Sequence, residues 1–227
     1  MDCAALWSHN LKNRILNPES SILTPVSGNL FIVSAPSGAG KTSLVNELLR
    51  TDAGIKLSVS HTTRLPREGE IDGREYHFVT EQVFAQMVER GEFLECALVH
   101  GKNYGTSRRW IDEQRAAGGD ILLEIDWRGA EQVRKLIPEV VSIFVLPPSF
   151  DALVVRLNKR AQDPPDVIAL RLATAREEIG HVAEFDYVII NDRFDQAVLD
   201  LSSIIRAQRL RATSQLARHQ NLINRMM

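Results

Sequence analysis

Apolar residues along this chain fall into two textures, and their alternation is the first sign of a fold. Leu30-Phe31-Ile32-Val33-Ser34 is a short β-prone run without polar alternation, the pattern of a strand buried on both faces. Ile121-Leu122-Leu123, Val140 to Leu146, and Tyr187-Val188-Ile189-Ile190 repeat it. Stretches with helical spacing separate these runs, beginning with Leu44, Val45, Leu48 and Leu49. Buried strands joined through helices predict an α/β fold with a parallel sheet core flanked by helices.

Between the first and second runs the texture changes. Leu57-Ser58-Val59, Tyr76-His77-Phe78-Val79 and Phe93-Leu94-Glu95 are strand-like, and Arg67-Glu68-Gly69-Glu70-Ile71-Asp72-Gly73 interrupts them as a turn. Thr80 caps a helix from Glu81 to Arg90, with Val83, Phe84, Met87 and Val88 expected in a core and Gly91 ending it. Residues 61–110 therefore read as an inserted mixed α+β subdomain, set within a core built from 29–60, 111–155 and 168–210.

Asp163-Pro164-Pro165-Asp166 breaks a helix carrying Leu153, Val154 and Leu157 from one carrying Ile168, Leu172 and Ile179, which predicts a short helical lid at 156–167. A last helix runs through Leu201, Ile204 and Ile205. Beyond Asp200 the only charged residues are basic, Arg206, Arg209, Arg211, Arg218 and Arg225 among them, and 211–227 reads as a helical tail. A solvated face is the plain reading of these arginines; a homo-oligomer contact is the alternative. Residues 1–28 are turn-rich around Asn17-Pro18 and Thr24-Pro25 and read as a loosely ordered extension.

Composition narrows the function classes. The 227 residues, 44% of them apolar, suffice for one substantial core. With 27 basic and 29 acidic residues the formal charge is -2, so no global field draws the chain to nucleic acid or anionic lipid. No apolar stretch approaches the roughly 18 residues of a membrane span. Cys3 and Cys96 form no metal-spaced pair and read as unrelated thiols. Together these features predict a soluble, cytoplasmic enzyme whose anion binding is local.

That local site follows the first strand directly. Ala35-Pro36-Ser37-Gly38-Ala39-Gly40-Lys41-Thr42, then Ser43 and a helix, is strand, glycine loop, helix. Gly38 and Gly40 let backbone N–H groups converge on phosphate oxygens, and the helix dipole favours the anion. Lys41 is placed for the terminal phosphates, and the Thr42 hydroxyl for Mg²⁺. The loop thus predicts ATP as phosphoryl donor with Mg²⁺ as cofactor, held by Ser37 through Ser43. Ala35 stands where the P-loop pattern has its first glycine.

A second constellation bears on the acceptor. Arg64 and Arg67, followed by Tyr76, put two guanidiniums and a phenol in one stretch, a set suited to a phosphate. The loop at 35–42, Thr62-Thr63-Arg64-x-Pro66-Arg67-x-Gly69-Glu70, Tyr104-Gly105-Thr106 and Ile125-Asp126-Trp127-Arg128-Gly129 stand in one order, and over roughly residues 29–210 the chain resembles the guanylate kinases. The resemblance implies that Arg64, Arg67, Tyr76 and Tyr104 hold the phosphate of GMP, and that Ser60, Glu95, Thr106 and Asp126 surround its base. Guanine agrees with that set: N1–H and the N2 amino group seek carboxylates, and O6 seeks a hydroxyl. Adenine would leave a buried carboxylate unpaired.

Glu124 and Asp126, two apart at a strand end, share one face at the edge where such sheets bind ligands. Similar kinases carry aspartate at the position of Glu124, which is therefore not counted among the metal ligands. The resemblance also implies a lid arginine set, Arg160 and Arg171 with Arg156 beside them, and an adenine contact at Asn191. Lys41, Arg64, Arg160 and Arg171 are the catalytic candidates. The expected partners are ATP and GMP, with dGMP as a close relative. Two rivals stay open: a protein-binding module on the same fold, and a kinase for a ribose bisphosphate.

Overall fold

A computed structural model describes residues 27–99, 101–159 and 165–227. Its first half contains β1 (Leu30–Ser34), α1 (Lys41–Thr51), β2 (Ile55–Leu57), β3 (His61–Thr62), β4 (His77–Phe78), α2 (Glu81–Glu89), β5 (Phe93–Val99) and β6 (Lys102–Ser107). There follow α3 (Arg108–Ala116), β7 (Asp120–Glu124), α4 (Trp127–Leu136), β8 (Val141–Leu146) and α5 (Phe150–Lys159). Then come α6 (Pro165–Gly180), β9 (Tyr187–Ile190), α7 (Phe194–Arg209), α8 (Ala212–Arg218) and α9 (Gln220–Asn224).

Strands β2-β7-β1-β8-β9 form a five-stranded sheet in which every pairing is parallel. For the inner strands β7, β1 and β8 the unbroken apolar runs have a direct cause; β9, at the sheet edge, instead leaves Tyr187, Val188 and Ile190 exposed, against expectation. Phe31 and Val33 of β1 pack on one face with Leu44, Val45 and Leu48 of α1 and Leu201 and Ile205 of α7. Leu30 and Ile32 pack on the other with Ile111 of α3 and Ala130 and Val133 of α4. Successive side chains of a strand alternate in direction, so a strand covered on both faces needs apolar residues at every position.

The second sheet, β4-β3-β6-β5, is mixed: β3 and β4 are parallel, while β6 runs antiparallel to β3 and β5. It carries its own small core of Phe84, Met87, Val88, Phe93 and Cys96. The Thr80 hydroxyl caps α2 by accepting from Val83 N, as the sequence suggests. Val83 itself is 40% exposed, against expectation. The helix rests on a narrow stripe through Phe84 and Met87, and Val83 lies about 100° off Phe84 around the axis, outside it. Cys96, read from the sequence as an isolated thiol, is disulfide-bonded.

This sheet is joined to the core through β5 and α4. Gln132, buried on α4, accepts from Cys96 N at 3.1 Å and donates to Cys96 O at 2.8 Å. Leu94, two residues before Cys96 on β5, belongs to the core of the parallel sheet.

The C-terminal arginines are not all solvated. Arg209, at the end of α7, reaches Asp52 and Asp120, each at 2.6 Å. Asp120 is buried and also accepts from Asn29 N and Nδ2. Among the described residues, no helix is long and apolar enough to cross a membrane.

Candidate functional site

One cleft of about 300 Å³ is lined by the glycine loop, the ends of β1 and β7, and the inner face of the second sheet. Its walls include Ser37, Gly38, Gly40, Lys41 and Thr42 on one side and Ser60, Tyr76, Glu95 and Tyr104 on the other, with Glu124 and Asp126 between. Thr106, paired across the strands with Glu95, stands directly behind that wall.

The loop takes its shape from its glycines. Gly38 and Gly40 sit at φ +91° and +97°, a region L side chains rarely adopt. A Cβ on Gly40 would also lie 2.5 Å from the Asn191 amide nitrogen. Ala35, where the motif calls for glycine, is buried with the core of the parallel sheet, so its methyl group packs. The Lys41 ammonium donates to the Ile125 carbonyl at 3.3 Å, which keeps it at the floor of the cleft. The Thr42 hydroxyl donates to Glu124 Oε1 at 2.5 Å. A hydroxyl and a carboxylate side by side at the phosphate loop are hard oxygen donors, the kind that suit Mg²⁺ with phosphate oxygens and water completing its shell.

Asn191 has a different visible occupation from the adenine contact the resemblance implies. Its amide donates to the Ala39 carbonyl at 2.7 Å, and its own carbonyl accepts from Arg156 Nη2 at 2.8 Å. Both residues thus brace the loop from behind. Ser43 is exposed on α1 and Ala39 is buried; neither lines the cleft.

The opposite wall is a chain of oxygen atoms. Thr106 Oγ1 donates to Glu95 Oε1 at 2.5 Å and stands 3.4 Å from Ser60 Oγ. Burial pushes the Glu95 carboxyl up to about 7, with the Thr106 hydrogen bond opposing and the nearby Asp126 charge adding to the shift. Asp126 faces the same space and at the same time caps α4, accepting from Gly129 N at 2.9 Å and from Arg128 Nη1 at 3.3 Å. A Cβ on Gly129, in the first turn of α4, would lie 2.5 Å from Glu95 Oε2, so glycine there leaves that carboxylate its place.

Tyr76 and Tyr104 meet edge to face with ring centres 5.8 Å apart. Burial pushes the Tyr76 phenol up to about 12, so it is a hydrogen-bond donor. Arg64 lies against the Tyr76 ring, 5.3 Å from its centre, and both of its terminal nitrogens reach Glu70 at 2.9 Å. Arg67 meets the same carboxylate through its backbone N–H and is exposed. Neither arginine lines the cleft, so the structure brings together the base-facing residues and the tyrosines but leaves the two guanidiniums at the rim.

Arg171 Nη2 donates to Ser37 Oγ at 3.0 Å. Arg160, with the flanking Ala161 and Pro164, lies outside the described residues, as does His100. His61 and His77 stack with ring centres 4.7 Å apart, away from the cleft, and burial lowers His61 to about 4. Sequence reasoning missed Glu178, a cleft residue of α6 that accepts from Ser37 N at 3.1 Å. A signal was available: an acidic residue next to Ile179 on the helix face that carries Leu172 and the buried Ala175.

A family model described as guanylate kinase matches residues 27–208. A guanylate kinase from Methylobacillus flagellatus is 59% identical over 202 residues, which cover 89% of this chain and the whole of that one. One from Dechloromonas aromatica is 56% identical over 202 residues, with the same coverage. The crystal structure of guanylate kinase from Anaplasma phagocytophilum superposes with a TM-score of 0.69 at 34% identity, covering 84% of this chain and 91% of that one.

Proposed function

The chain belongs to the guanylate kinase family and converts ATP and GMP to ADP and GDP, and from that premise we propose how the cleft performs the transfer. One observation carries the assignment of roles. The glycine loop with Lys41 and Thr42 faces, across a single cleft, a buried carboxylate and hydroxyls at Glu95, Thr106 and Ser60. Phosphate chemistry occupies one wall and guanine chemistry the other.

ATP enters with its phosphates on Ser37 to Thr42, and Lys41 bridges the terminal ones. GMP lies against the second sheet. Glu95 and Asp126 accept from N1–H and the N2 amino group; Ser60 faces O6, and Thr106, whose proton goes to Glu95, holds that carboxylate toward the base. Tyr76 and Tyr104 donate to the GMP phosphate, and Arg64 and Arg67 reach it from the rim. Thr42 would hold Mg²⁺, and Glu124, set aside on sequence, joins it directly or through water because its carboxylate meets the Thr42 hydroxyl; when bound the ion neutralises charge on the phosphate oxygens.

An oxygen of the GMP phosphate then attacks the γ-phosphorus in line as the bond to the β,γ-bridging oxygen breaks, so that ADP leaves and GDP forms. The attacking oxygen is already ionised, so no general base is required. Lys41, Arg64, Arg171 and Arg160 offset the negative charge spread over the transferring group. Closure of the lid excludes water that would otherwise consume ATP. The base-reading set includes nothing that addresses the ribose 2′-hydroxyl, which supports dGMP as a second acceptor. The nucleotide substrates support a cytoplasmic location.

The test is a coupled ADP-release assay with Mg-ATP and a panel of GMP, dGMP, AMP, UMP, CMP and ribose 1,5-bisphosphate. Release is expected with the guanine nucleotides alone, and Lys41→Ala should lower it by roughly a thousandfold. Release with the sugar bisphosphate alone would move the chain to a different acceptor class. A complete lack of turnover would favour a protein-binding role.

A further inference from the structure

The reaction described above makes no use of Glu178, yet its carboxylate is 8% exposed and forms part of the cleft wall. Burying a carboxylate in a site built for phosphate is costly, so its contacts should be specific ones. It has one direct hydrogen bond, from the backbone N–H of Ser37 at 3.1 Å. Burial raises its carboxyl above the ordinary range, and the Lys41 charge works in the opposite direction.

The helix beneath it explains the contact. Arg171, Ala175 and Glu178 are spaced four and three residues apart on α6 and share one face. Ala175 is buried with Leu153 and Leu157 of α5, and both leucines stand about 3.0 Å from where a Cβ on Gly38 would project. The two ends of that face both reach Ser37, Arg171 at the hydroxyl and Glu178 at the backbone N–H. The phosphate loop is therefore held at its first turn by the helix that leads out of the lid.

We propose that Glu178 is a positioning residue for the donor loop: by accepting from Ser37 N it fixes the loop backbone against α6 in the conformation that receives the ATP phosphates. The inference rests on reading that loop as the donor site. It concerns the donor nucleotide and not the acceptor, whose wall lies across the cleft.

The test compares wild type with Glu178→Ala, Glu178→Asp and Glu178→Gln. KM is measured for Mg-ATP at saturating GMP and for GMP at saturating Mg-ATP, and ADP binding is measured by calorimetry without turnover. Removing a charged acceptor from a backbone N–H is expected to raise the ADP Kd and the ATP KM about tenfold, with the GMP KM within about twofold. Asp, one methylene too short to reach Ser37, should behave like Ala, and it supplies the measurement if Ala does not fold. Gln keeps an acceptor oxygen in place and should restore most of the affinity.

An unchanged ADP Kd in Ala and Asp would overturn the proposal. So would an equal rise in both KM values, or a Gln variant as weak as Ala. Wild-type protein that binds ADP but turns over no guanine nucleotide would count against the reaction and leave the calorimetric comparison intact.

Discussion

At the scale of single residues, Glu95 has to satisfy two opposed requirements. It must be ionised to accept from guanine, yet burial holds its carboxyl near 7, above the ordinary 4.5. An acid whose folded value is raised stabilises the fold below its unfolded value and loses that contribution as pH rises through the folded one, here between about 4.5 and 7. Binding is expected to run the other way. GMP should bind more tightly as pH rises from 5.5 toward 8, close to tenfold per unit below 7, and should release a proton near pH 6.5. Calorimetry in buffers of different ionisation enthalpy counts that proton. Glu95→Gln should abolish its share and leave only the titration of the GMP phosphate; an unchanged proton count would remove Glu95 from the base site. Glu95 and Thr106 entered the reading through the family resemblance, and guanine's donors and its O6 acceptor agree with them. Glu178 and the double duty of Asp126 were not, because a helix-capping aspartate and a buried glutamate look like ordinary polar residues until the fold brings them to the cleft.

At the scale of elements, the parallel sheet was legible because a strand covered on both faces leaves an unambiguous apolar run. The short strand β4 falls within the run 76–79 that reads as strand-like, whereas β3, two residues long, carries no such pattern and is held by its pairing together with the buried Thr62 hydroxyl, which donates to the Asn103 carbonyl. The role of α7 was also concealed. A row of arginines reads as a wet surface, whereas Arg209 ties the end of this helix to Asp120 at the start of β7 and to Asp52 after α1. Arg209→Ala would leave the buried Asp120 with only its Asn29 bonds, and breaking such a pair costs about 3 kcal/mol. In a chain of this size that corresponds to roughly 10 °C in Tm. Both KM values should stay within about twofold, since Arg209 lies far from the cleft. A melting temperature within about 2 °C of wild type would show the triad to be solvent-screened.

At the scale of the molecule, the two sheets share the cleft and are joined where β5 packs against α4 and places Leu94 in the parallel-sheet core. The paired hydrogen bonds between Gln132 and the backbone of Cys96 lie at the same junction. Gln132→Leu would leave a buried N–H and C=O unpaired, and unfolding should become easier by roughly 2 kcal/mol in denaturant titrations. Because the change loosens the acceptor wall and not the loop, the GMP KM should rise more than the ATP KM. Equal changes in the two would mean that the attachment lies elsewhere.

That attachment lies beside the base site. Glu95 is the residue next to Cys96, so the carboxylate offered to guanine is set by the same stretch of β5 that Gln132 holds. Arg64 and Arg67 follow β3, which stands beyond β6 from β5 in the sheet order. The wall that reads the base is therefore anchored directly to the parallel-sheet core, whereas the arginines are linked to it through two further strands.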